Sequence, residues 1–403
     1  MRILYVTAYY KPAYVYGGPV RSVSSLCEQF VQDGIDLQVL TTNANGDGVL
    51  DVPLIRPVDV DGVSVRYFPL TRGGLGLKYS ASLADAIAEQ VPKVDVVITE
   101  TIWNSPALFA SRACQKYRIP YIVPLRGQLL PWSLRQSRMK KKIYQQLFAD
   151  QILKRAAALH CTDPFEAESV RALGYLTPTF VVPNGIDTQR FTASRSRANC
   201  RQRGIPDRAP VLLFVGRLHP KKRPDIALEV LRVLDHKASH LNAHLIMVGP
   251  DEAGLSRQLG QRAPHGRVHF TGLLDASQVR QWMSEANLFL MPSEPASENF
   301  GVAAVEALAA GLPVLVSEGV PIGKWAEVYG AGRTVPCTAE AFSNATCQLL
   351  SDFPELRKMG ERGRILARER FDSAKVAAQM IAQIDALITI GRPLPDSDGG
   401  RVA

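Results

Sequence analysis

The strongest constraint on the fold is a regular succession of short apolar runs separated by segments of helical pattern. Each run is rich in β-branched side chains and is continuously apolar, which is typical of strands buried on both faces of a parallel sheet. The runs cover 2–7, 36–42, 63–68, 95–99, 121–125, 158–162, 179–183, 210–216, 243–249, 267–272, 287–292, 313–317 and 333–336. Helical patterns fill the gaps, as at 224–238 and 298–311. This alternation predicts an α/β fold with doubly wound parallel sheets.

The chain of 403 residues is too long for one ordinary core, and its composition changes near the middle. The stretch 190–210 is polar, basic and poor in apolar residues. We therefore predict a Rossmann-like domain over 1–190, a linker over 191–209 and a second Rossmann-like domain over 210–372. Ligands bind such sheets at the carboxyl ends of the strands, so a cleft between the two domains is the expected site. The tail 391–403 is expected to be disordered.

Charge and cysteine usage narrow the class of protein. A formal net charge of +9 and a pI near 9.3 favour anionic partners, namely phosphorylated ligands, nucleic acid or an anionic membrane surface. The six cysteines form no CxxC pair and no cluster with zinc-ligand spacing, which indicates thiols in a reducing compartment. The first residues lack the pattern of a signal peptide, and no apolar run is long enough for a membrane span. We expect a cytoplasmic protein without a bound metal.

The stretch VGRLHPKKRPD, 215–225, places two cations after a strand. Arg217 and Lys222 follow the strand that ends at Gly216, before a helix that starts near Pro224. Arginine offers a planar fork of donors and lysine a mobile point charge, so the pair suits a diphosphate. A solvated basic loop is the alternative that this motif alone leaves open.

The stretch SENFGVAAVEALAAGLPVLVS, 297–317, places Glu298 and Glu306 in apolar surroundings. Carboxylates rarely occur in such a segment without a partner, and each can accept hydrogen bonds from vicinal hydroxyls of a sugar. Amides at the helix start near Phe300 and Gly301 favour an anionic or hydroxyl-rich ligand, and Gly311 is the expected end of the helix. The alternative makes Glu298 a partner of the helix dipole and Glu306 a surface residue. The small apolar residues around Glu306 speak against it, because they leave no polar face.

A third stretch, YYKPAYVYGGPVRSVSSLCEQF, follows the first strand. Its Gly17-Gly18 turn before Pro19 and a helix would let backbone amides approach a phosphate or a sugar. The pattern is not GxGxxG, so the nicotinamide fingerprint is absent.

These motifs occur in a specific order along most of the chain. They are Gly17-Gly18, 126–147, VVPNGID at 181–187, GRLHPKK at 216–222, the two glutamates at 298 and 306, and ALAAGLPVLVS at 307–317. In combination they resemble the retaining, nucleotide-sugar-dependent glycosyltransferases of the family-four group, which have the GT-B fold. The resemblance implies two Rossmann-like domains facing a central cleft, with a final helix over 373–390 that returns to the N-terminal domain.

The resemblance also implies roles for the residues of the diphosphate site. Arg217 and Lys222 correspond to the pair that neutralises the donor diphosphate, and Gly17 and Gly18 to the backbone approach from the N-terminal domain. Such enzymes work without a bound metal and without a cofactor, and two cations at the phosphates offer a physical reason. The leaving phosphate is expected to take the proton of an acceptor that attacks from the same face of the sugar.

The sugar end of the donor has its own implied residues. Glu306 corresponds to the residue that holds the ribose hydroxyls, and Glu298 to the residue that faces the donor sugar. We therefore expect Glu298 to be catalytic together with the two cations. Main-chain contacts to the sugar are implied for Asn299, Phe300 and Gly301.

The sequence departs from the family pattern in the first domain. Many relatives carry a histidine where this chain has Arg126-Gly127, and some carry histidines before the residue that corresponds to Trp103. We therefore expect Glu100, Trp103, Arg126 and Gly127 on the acceptor side. A glycine often follows the phosphate-binding lysine, but Arg223 stands there in this chain.

The stretch SLRQSRMKKKIYQQLFADQILKR, 133–155, reads as a basic amphipathic helix. Such a helix can lie on an anionic membrane, in which case the acceptor would be lipid-linked, for example a polyprenyl-diphosphate glycan precursor. An ordinary surface helix with a solvated basic face is the alternative.

The expected activity is the transfer of a hexose-type sugar from a UDP- or GDP-sugar such as GDP-mannose. The expected acceptor is a hydroxyl of a glycan or a lipid-linked glycan in cell-surface polysaccharide or glycoconjugate biosynthesis. The protein would then be cytoplasmic, or peripheral on the inner face of the cell membrane, and would not bind nucleic acid. Two alternatives stay open, a GT-B nucleotide-sugar epimerase and a protein that binds polyanions or membranes without transfer activity. The second leaves the two glutamates unexplained.

Overall fold

The computed structural model describes residues 1–71, 77–136, 138–191, 196–251 and 254–391. The chain divides into two compact units. The first unit comprises Met1–Gly185 together with the residues from Ser373 onward, and the second comprises Ile186–Asp372. Beyond Gly391, the tail predicted to be disordered lies outside the described residues.

The first unit is built on an eight-stranded sheet, beside which lies a two-stranded hairpin. The strands are β1 (Arg2–Val6), β2 (Asp36–Thr42), β3 (Ala44–Asn45), β4 (Gly48–Val49), β5 (Pro57–Val60), β6 (Val63–Phe68), β7 (Val96–Thr99), β8 (Tyr121–Pro124), β9 (Ala158–Cys161) and β10 (Thr179–Val181). The sheet order is β10-β9-β8-β7-β1-β2-β6-β5, and β3 pairs with β4. All neighbours in the large sheet are parallel except β5 and β6. Strands β7, β8 and β9 are buried along their whole length, as their continuous apolar sequences predict.

Helices connect these strands. They are α1 (Gly18–Gln32), α2 (Ala81–Gln90), α3 (Ser105–Tyr117), α4 (Pro131–Arg135), α5 (Arg138–Tyr144), α6 (Asp150–Lys154) and α7 (Pro164–Ala172), with a π-helical turn at Gln145–Ala149. Several starts are capped by side chains, as the sequence chemistry requires. Ser80 accepts the amide of Leu83 at 3.3 Å, and Asp163 accepts the amide of Phe165 at 2.8 Å.

The second unit contains a six-stranded, wholly parallel sheet in the order β13-β12-β11-β14-β15-β16. The strands are β11 (Val211–Val215), β12 (His244–Val248), β13 (Val268–Gly272), β14 (Leu288–Met291), β15 (Val314–Ser317) and β16 (Gly332–Val335). The helices are α8 (Ala198–Gln202), α9 (Pro224–Lys237), α10 (Leu255–Arg262), α11 (Ala276–Glu285), α12 (Val302–Ala309), α13 (Ile322–Val328), α14 (Ala339–Leu350) and α15 (Phe353–Arg370). Two apolar cores lie on opposite faces of this sheet.

The last helix, α16 (Ser373–Gly391), belongs to the first unit, although it follows the second in sequence. Its apolar side chains are buried with those of α1 and the first sheet, among them Val376, Ala377, Met380 and Ile384. Among the described residues, none of the helices combines the length and the apolarity that a membrane crossing requires.

The predicted α/β class is confirmed, and each of the thirteen apolar runs contains a strand. The first sheet has one antiparallel pair at its edge, where β5 pairs with β6. The connection between them contains Asp61 and Gly62, both with positive φ, at 53° and 84°. An Asp-Gly pair between strands is a strong hairpin signal, so this edge was open to prediction from the sequence.

Two other segments differ from expectation. The units divide between Gly185 and Ile186, and much of the stretch predicted as a linker packs into the second unit. There Cys200 is fully buried in α8, and the carboxylate of Glu285 accepts the amides of Asn199 and Cys200 at 3.1 and 3.0 Å. A composition poor in apolar residues therefore did not exclude a packed helix with an internal acceptor.

The predicted basic helix over 133–155 is not continuous. Helix α4 ends at Arg135 because Gln136 adopts an extended conformation, with φ −72° and ψ 126°. Residue 137 is outside the described residues, and α5, the π-helical turn and α6 follow.

Candidate functional site

The carboxyl end of the second sheet contains a close approach between two strand ends. Gly216 follows β11 and Gly249 follows β12. A Cβ atom on Gly249, which has φ +139°, would lie 2.1 Å from the carbonyl oxygen of Gly216. Only glycine fits such a position, so the sequence brings two main-chain segments together at the edge where parallel sheets bind ligands.

The turn after β11 places Lys222 against this edge. Residues Pro220–Lys222 form one 3-10 turn, in which Nδ1 of His219 accepts the amide of Lys221 at 3.2 Å. The side chain of Lys222 lies back over the strand end, since its Cε would be 3.8 Å from a Cβ on Gly216. Arg217 comes directly after Gly216, and its side chain is exposed.

Lys222 and Glu298 are brought together from separate parts of the chain. The ammonium of Lys222 donates a hydrogen bond to Oε1 of Glu298 in an ion pair. The hydroxyl of Ser293 donates to the same oxygen at 3.0 Å. Burial would raise the pKa of Glu298, but Lys222, Lys221 and the Ser293 hydroxyl hold that pKa below its ordinary value. Glu298 is therefore an ionised acceptor at neutral pH.

The loop that carries Glu298 is fixed to the lysine turn. The amide of Glu294 donates to the carbonyl of Lys221 at 2.8 Å, and the amide of Ser297 donates to the carbonyl of Glu294 at 3.0 Å. The hydroxyl of Ser317, at the end of β15, donates to the carbonyl of Ser293. Two loops from neighbouring strands thus form one structural element.

The residues between Glu298 and α12 have distinct environments. Phe300 is buried and packs edge-on against Phe371, with ring centroids 5.4 Å apart, so its side chain belongs to the core. Gly301 has φ +92°, and a Cβ there would lie 2.9 Å from Cγ2 of Ile322. Within the described part of the chain, Oδ1 of Asn299 is buried without a hydrogen-bond donor. A buried acceptor without a donor is costly unless a ligand or water satisfies it.

Glu306 is half-buried in the second turn of α12. The helix starts at Val302 and ends at Ala309, before Gly311 with φ +77°. The predicted helix was longer at both ends, but the expected glycine at its C-terminus is present. Glu298 and Glu306 therefore flank the N-terminus of one short helix at the sheet edge.

The first unit carries the glycine turn at the corresponding place after β1. Gly17 has φ +75° and ψ −138°, and its amide donates to the carbonyl of Tyr14 at 2.9 Å. Gly18 is the first residue of α1. A Cβ on either glycine would meet no atom within 4 Å. Internal packing therefore does not require glycine at position 18.

Arg126 and Glu100 form a buried ion pair in the first unit. Nε of Arg126 donates to Oε1 of Glu100 at 2.5 Å, and the hydroxyl of Tyr5 donates to the same oxygen. Nη1 of Arg126 donates to Oγ of Ser22 at 3.2 Å and to Oδ1 of Asn184. Protein groups thus surround a side chain that we expected to face an acceptor. The pair joins the end of β7, helix α1 and the chain just before the unit boundary.

Gly127, also expected on the acceptor side, has a protein partner too, whereas Nε1 of Trp103 is buried without a hydrogen-bond acceptor among the described residues. Gly127 has φ +76° and donates its amide to Glu166, a buried carboxylate that also accepts the amide of Thr162 at 2.7 Å. Burial raises the pKa of Glu166, although these hydrogen bonds act in the opposite direction. Trp103 lies beneath the basic segment, with Nζ of Lys141 5.2 Å from its ring centroid.

Several residues of these networks were not identified from the sequence, among them Lys221, Ser293 and Glu166. Position offered a signal for the last of them, because Glu166 follows β9 closely and so reaches the same sheet edge as Arg126. Among the described residues, no cluster of three or more His, Cys, Asp or Glu side chains could hold a metal ion.

Comparison with solved structures defines the class of this fold. The crystal structure of Anabaena HepE in complex with UDP-glucose superposes with a TM-score of 0.75 over 96% of this chain and 100% of that chain, at 19% sequence identity. The two α/β units together with this similarity identify the fold as GT-B, a class of glycosyltransferase folds.

The chain contains a glycosyl transferases group 1 domain and a glycosyl transferase 4-like domain. The model of the first matches residues 196–366, and the model of the second matches residues 17–185. Together they account for most of the chain and correspond to the two units.

Curated relatives match shorter segments. D-inositol 3-phosphate glycosyltransferase of Streptomyces avermitilis is 32% identical over 201 residues, which is 47% of this chain and 42% of that protein. GDP-mannose-dependent alpha-(1-6)-phosphatidylinositol dimannoside mannosyltransferase of Mycobacterium tuberculosis is 30% identical over 268 residues, 65% of this chain and 64% of that protein. The chain thus spans less than two thirds of the length of these relatives.

Proposed function

We propose that this protein transfers a hexose-type sugar from a UDP- or GDP-sugar to a hydroxyl of a glycan or lipid-linked glycan. The observation that carries the proposal is the ion pair of Lys222 and Glu298 at the carboxyl end of the second sheet, where Lys222 shares its loop with Arg217. Cations and an ionised carboxylate at one edge match the two ends of a sugar diphosphate, because phosphates need cations and sugar hydroxyls need acceptors.

Each residue then has a place along the donor. Arg217 and Lys222 bind the diphosphate, and Gly18, next to Gly17 at the start of α1, offers its main-chain amide to it. Glu306 accepts hydrogen bonds from the ribose hydroxyls.

The sugar lies at the other end of the diphosphate. Glu298 faces it, with main-chain contacts from Phe300 and Gly301. The buried Oδ1 of Asn299 is a further acceptor for a sugar hydroxyl, since no donor within the described residues satisfies it.

The reaction breaks the bond between the anomeric carbon and the diphosphate oxygen, whose electron pair leaves with the nucleoside diphosphate. Fixed cations stabilise the charge that grows on this leaving group and take the place of a metal ion. The acceptor oxygen attacks from the same face, and its proton passes to the leaving phosphate, so the anomeric configuration is retained. NMR of the new anomeric centre tests this step, and an inverted product contradicts it.

The names of the comparison proteins support both candidate donors. The HepE structure contains UDP-glucose, and the mycobacterial relative is named as GDP-mannose-dependent. We propose a role in cell-surface polysaccharide or glycoconjugate biosynthesis.

A panel of UDP- and GDP-sugars tests the donor, because a bound ligand raises the temperature of unfolding by mass action. We expect one nucleotide class to stabilise the protein, and the Glu306→Ala variant to lose most of this stabilisation. The exposed Glu340 in the first turn of α14 provides the matched control, and Glu340→Ala should keep the full shift. No stabilisation by any nucleotide sugar would contradict the proposal. Release of a converted sugar nucleotide without an acceptor would instead indicate an epimerase.

We further propose that the protein binds an anionic membrane surface through its basic segment. Met139, Ile143 and Leu147 are exposed by 73%, 52% and 58% and lie four residues apart, on one side of the helical segment. The exposed cations Arg138, Lys140 and Lys142 alternate with them. Exposed apolar side chains flanked by cations suit an anionic lipid surface, and we propose that this surface is the inner face of the cell membrane.

Flotation with phosphatidylglycerol-containing vesicles tests this surface at low salt, with pure phosphatidylcholine vesicles for comparison. The double variant Ile143→Glu/Leu147→Glu should stay unbound, whereas Val328→Glu, at an exposed valine of the second unit, should float like the unchanged protein. An unchanged protein that does not float with anionic vesicles would contradict the proposal.

A further inference from the structure

The charges at the edge of the second sheet do not balance a diphosphate if only Arg217 and Lys222 are counted. Lys222 is already paired with Glu298, so these three side chains together carry a single net positive charge. Each phosphate group of a sugar diphosphate carries a negative charge. One further cation at the same place would complete the balance.

Lys221 is a candidate for this cation, because its backbone joins the two loops of the site. It lies in the 3-10 turn between Pro220 and Lys222, and its amide donates to Nδ1 of His219 at 3.2 Å. Its carbonyl accepts the amide of Glu294 at 2.8 Å and the hydroxyl of Ser297 at 3.5 Å. The main chain on both sides of the Lys221 side chain is therefore held in place.

The charged groups that act on Lys221 are the residues of the proposed site. Glu298 attracts its ammonium, whereas Lys222 and Arg217 repel it. Lys221 is half-buried, and burial is the main cause that lowers its pKa, with Lys222 and Arg217 acting in the same direction and Glu298 in the opposite one. An ammonium close to two other cations gains more interaction energy when a dianion binds than a fully solvated ammonium does.

We propose that Lys221 binds the donor diphosphate together with Arg217 and Lys222, and supplies the charge that Glu298 removes from Lys222. This inference rests on the proposed function, in which the diphosphate occupies this edge. With Lys221 included, the four side chains carry two net positive charges. The two phosphates then meet two net positive charges while Glu298 stays ionised beside them.

The proposal has a consequence for pH. Only the protonated ammonium binds a phosphate, so affinity for the nucleotide is full below the pKa of Lys221 in the empty site. It is lost as the pH rises through that pKa, which lies below the ordinary value for lysine. An arginine at this position stays protonated throughout, so its loss of affinity should begin at a higher pH.

Calorimetric titration of the full chain with UDP and with GDP tests the inference. We expect Lys221→Met to weaken binding of the preferred nucleotide by about tenfold or more, as for a lost charge-assisted hydrogen bond. Lys221→Arg should bind within about threefold of the unchanged protein. The control Lys237→Met removes an exposed lysine at the far end of α9, roughly 20 Å along the helix, and should bind normally.

The outcomes separate this inference from the proposed function. If the unchanged protein binds neither nucleotide, the proposed function and the inference both fail. If it binds and Lys221→Met binds equally well, only the inference fails. If Lys221→Met does not fold, the pH dependence of nucleotide binding in Lys221→Arg and in the unchanged protein decides. Ionisation of the nucleotide itself affects both proteins equally, so a difference between them comes from position 221. If the nucleotide affinity of Lys221→Arg and of the unchanged protein falls over the same alkaline pH range, the inference is overturned.

Discussion

The two sheets end in an ion pair of similar composition, but the pairs differ in what surrounds them. In the second unit the side chains of Lys222 and Glu298 are 19% and 12% exposed, and further charged groups lie beside them. In the first unit the side chains of Arg126 and Glu100 are 6% and 3% exposed, and Tyr5, Ser22 and Asn184 complete their hydrogen bonds.

This difference separates two roles for charge at a sheet edge. A partly exposed pair can exchange partners when a charged ligand arrives, because solvent and ligand both reach it. A buried pair with saturated hydrogen bonds holds strand ends and helices in place, because breaking it leaves a charge without compensation. We therefore propose that the edge of the second unit binds the ligand and that the Arg126–Glu100 pair has a supporting role.

The largest expected effect is on the stability of the first unit. Glu100→Ala should lower the free energy of unfolding by about 3–5 kcal/mol, because the guanidinium of Arg126 stays buried without its partner. Urea unfolding measures this loss. The double variant Glu100→Ala/Arg126→Met should be more stable than Glu100→Ala alone, since it removes the unpaired charge. A loss below about 1 kcal/mol in Glu100→Ala would show that the pair is not buried in solution.

The next effect concerns turnover rather than stability. Lys222→Met should reduce kcat by about 10²–10³-fold, because the leaving phosphate loses a fixed cation. Its free energy of unfolding should change by no more than about 1 kcal/mol, since the ion pair with Glu298 is partly exposed. Nucleotide release with the preferred donor and acceptor measures turnover, with Lys237→Met as the matched control. Equal turnover in Lys222→Met and Lys237→Met would contradict the assigned role.

Substitutions of Gly17 and Gly18 should likewise separate an effect on stability from an effect on donor binding. Gly17→Ala should cost about 1–2 kcal/mol of stability, because its positive φ is unfavourable for a side chain. Gly18→Ala should leave stability unchanged, because its Cβ would meet no atom within 4 Å, yet it should raise the KM for the donor. Thermal unfolding and donor kinetics of the two variants measure these outcomes. A normal donor KM in Gly18→Ala would remove this glycine from the diphosphate site.

The smallest expected effect is at Arg223, which stands where relatives often have glycine. Its φ of +49° is strained for arginine, but its guanidinium pairs with Asp225 at 2.8 Å. Because glycine removes the strain and the ion pair together, Arg223→Gly should change stability by less than about 1 kcal/mol. Turnover should be unchanged. A large fall in turnover would instead add Arg223 to the cations of the site.

Much of the fold could be predicted because the residues of a buried strand are themselves continuously apolar, so the signal lies within a few residues of sequence. Continuous apolar runs such as 95–99 and 121–125 correspond to strands β7 and β8, which are buried along their length. Edge β5 was missed because its four residues alternate between exposed and half-buried and form no apolar run, although the Asp61-Gly62 pair after them is a hairpin signal. Helix α8 was missed because its anchor, Glu285, lies 85 residues away from Cys200 in the chain.

The site was predictable only in part, because some of its contacts join residues that are distant in the sequence. Motif spacing pointed to Lys222 and Glu298, and the structure brings them together. At the edge of the first sheet, the residues that pair with each other are distant in the sequence. Arg126 donates hydrogen bonds to Glu100 and Asn184, which lie 26 and 58 residues away. A sequence pattern identifies such polar residues at strand ends but does not indicate whether they face a ligand or each other.

Calorimetric titration with UDP and GDP tests the central assignment most directly when two variants are compared with the unchanged protein. Arg217→Met/Lys222→Met removes the cations of the second edge, and Glu100→Gln alters the buried pair of the first edge while keeping its shape. We predict that the first variant binds neither nucleotide and that the second, where it is folded, binds the preferred nucleotide with nearly unchanged affinity. Undiminished binding by Arg217→Met/Lys222→Met would contradict the account.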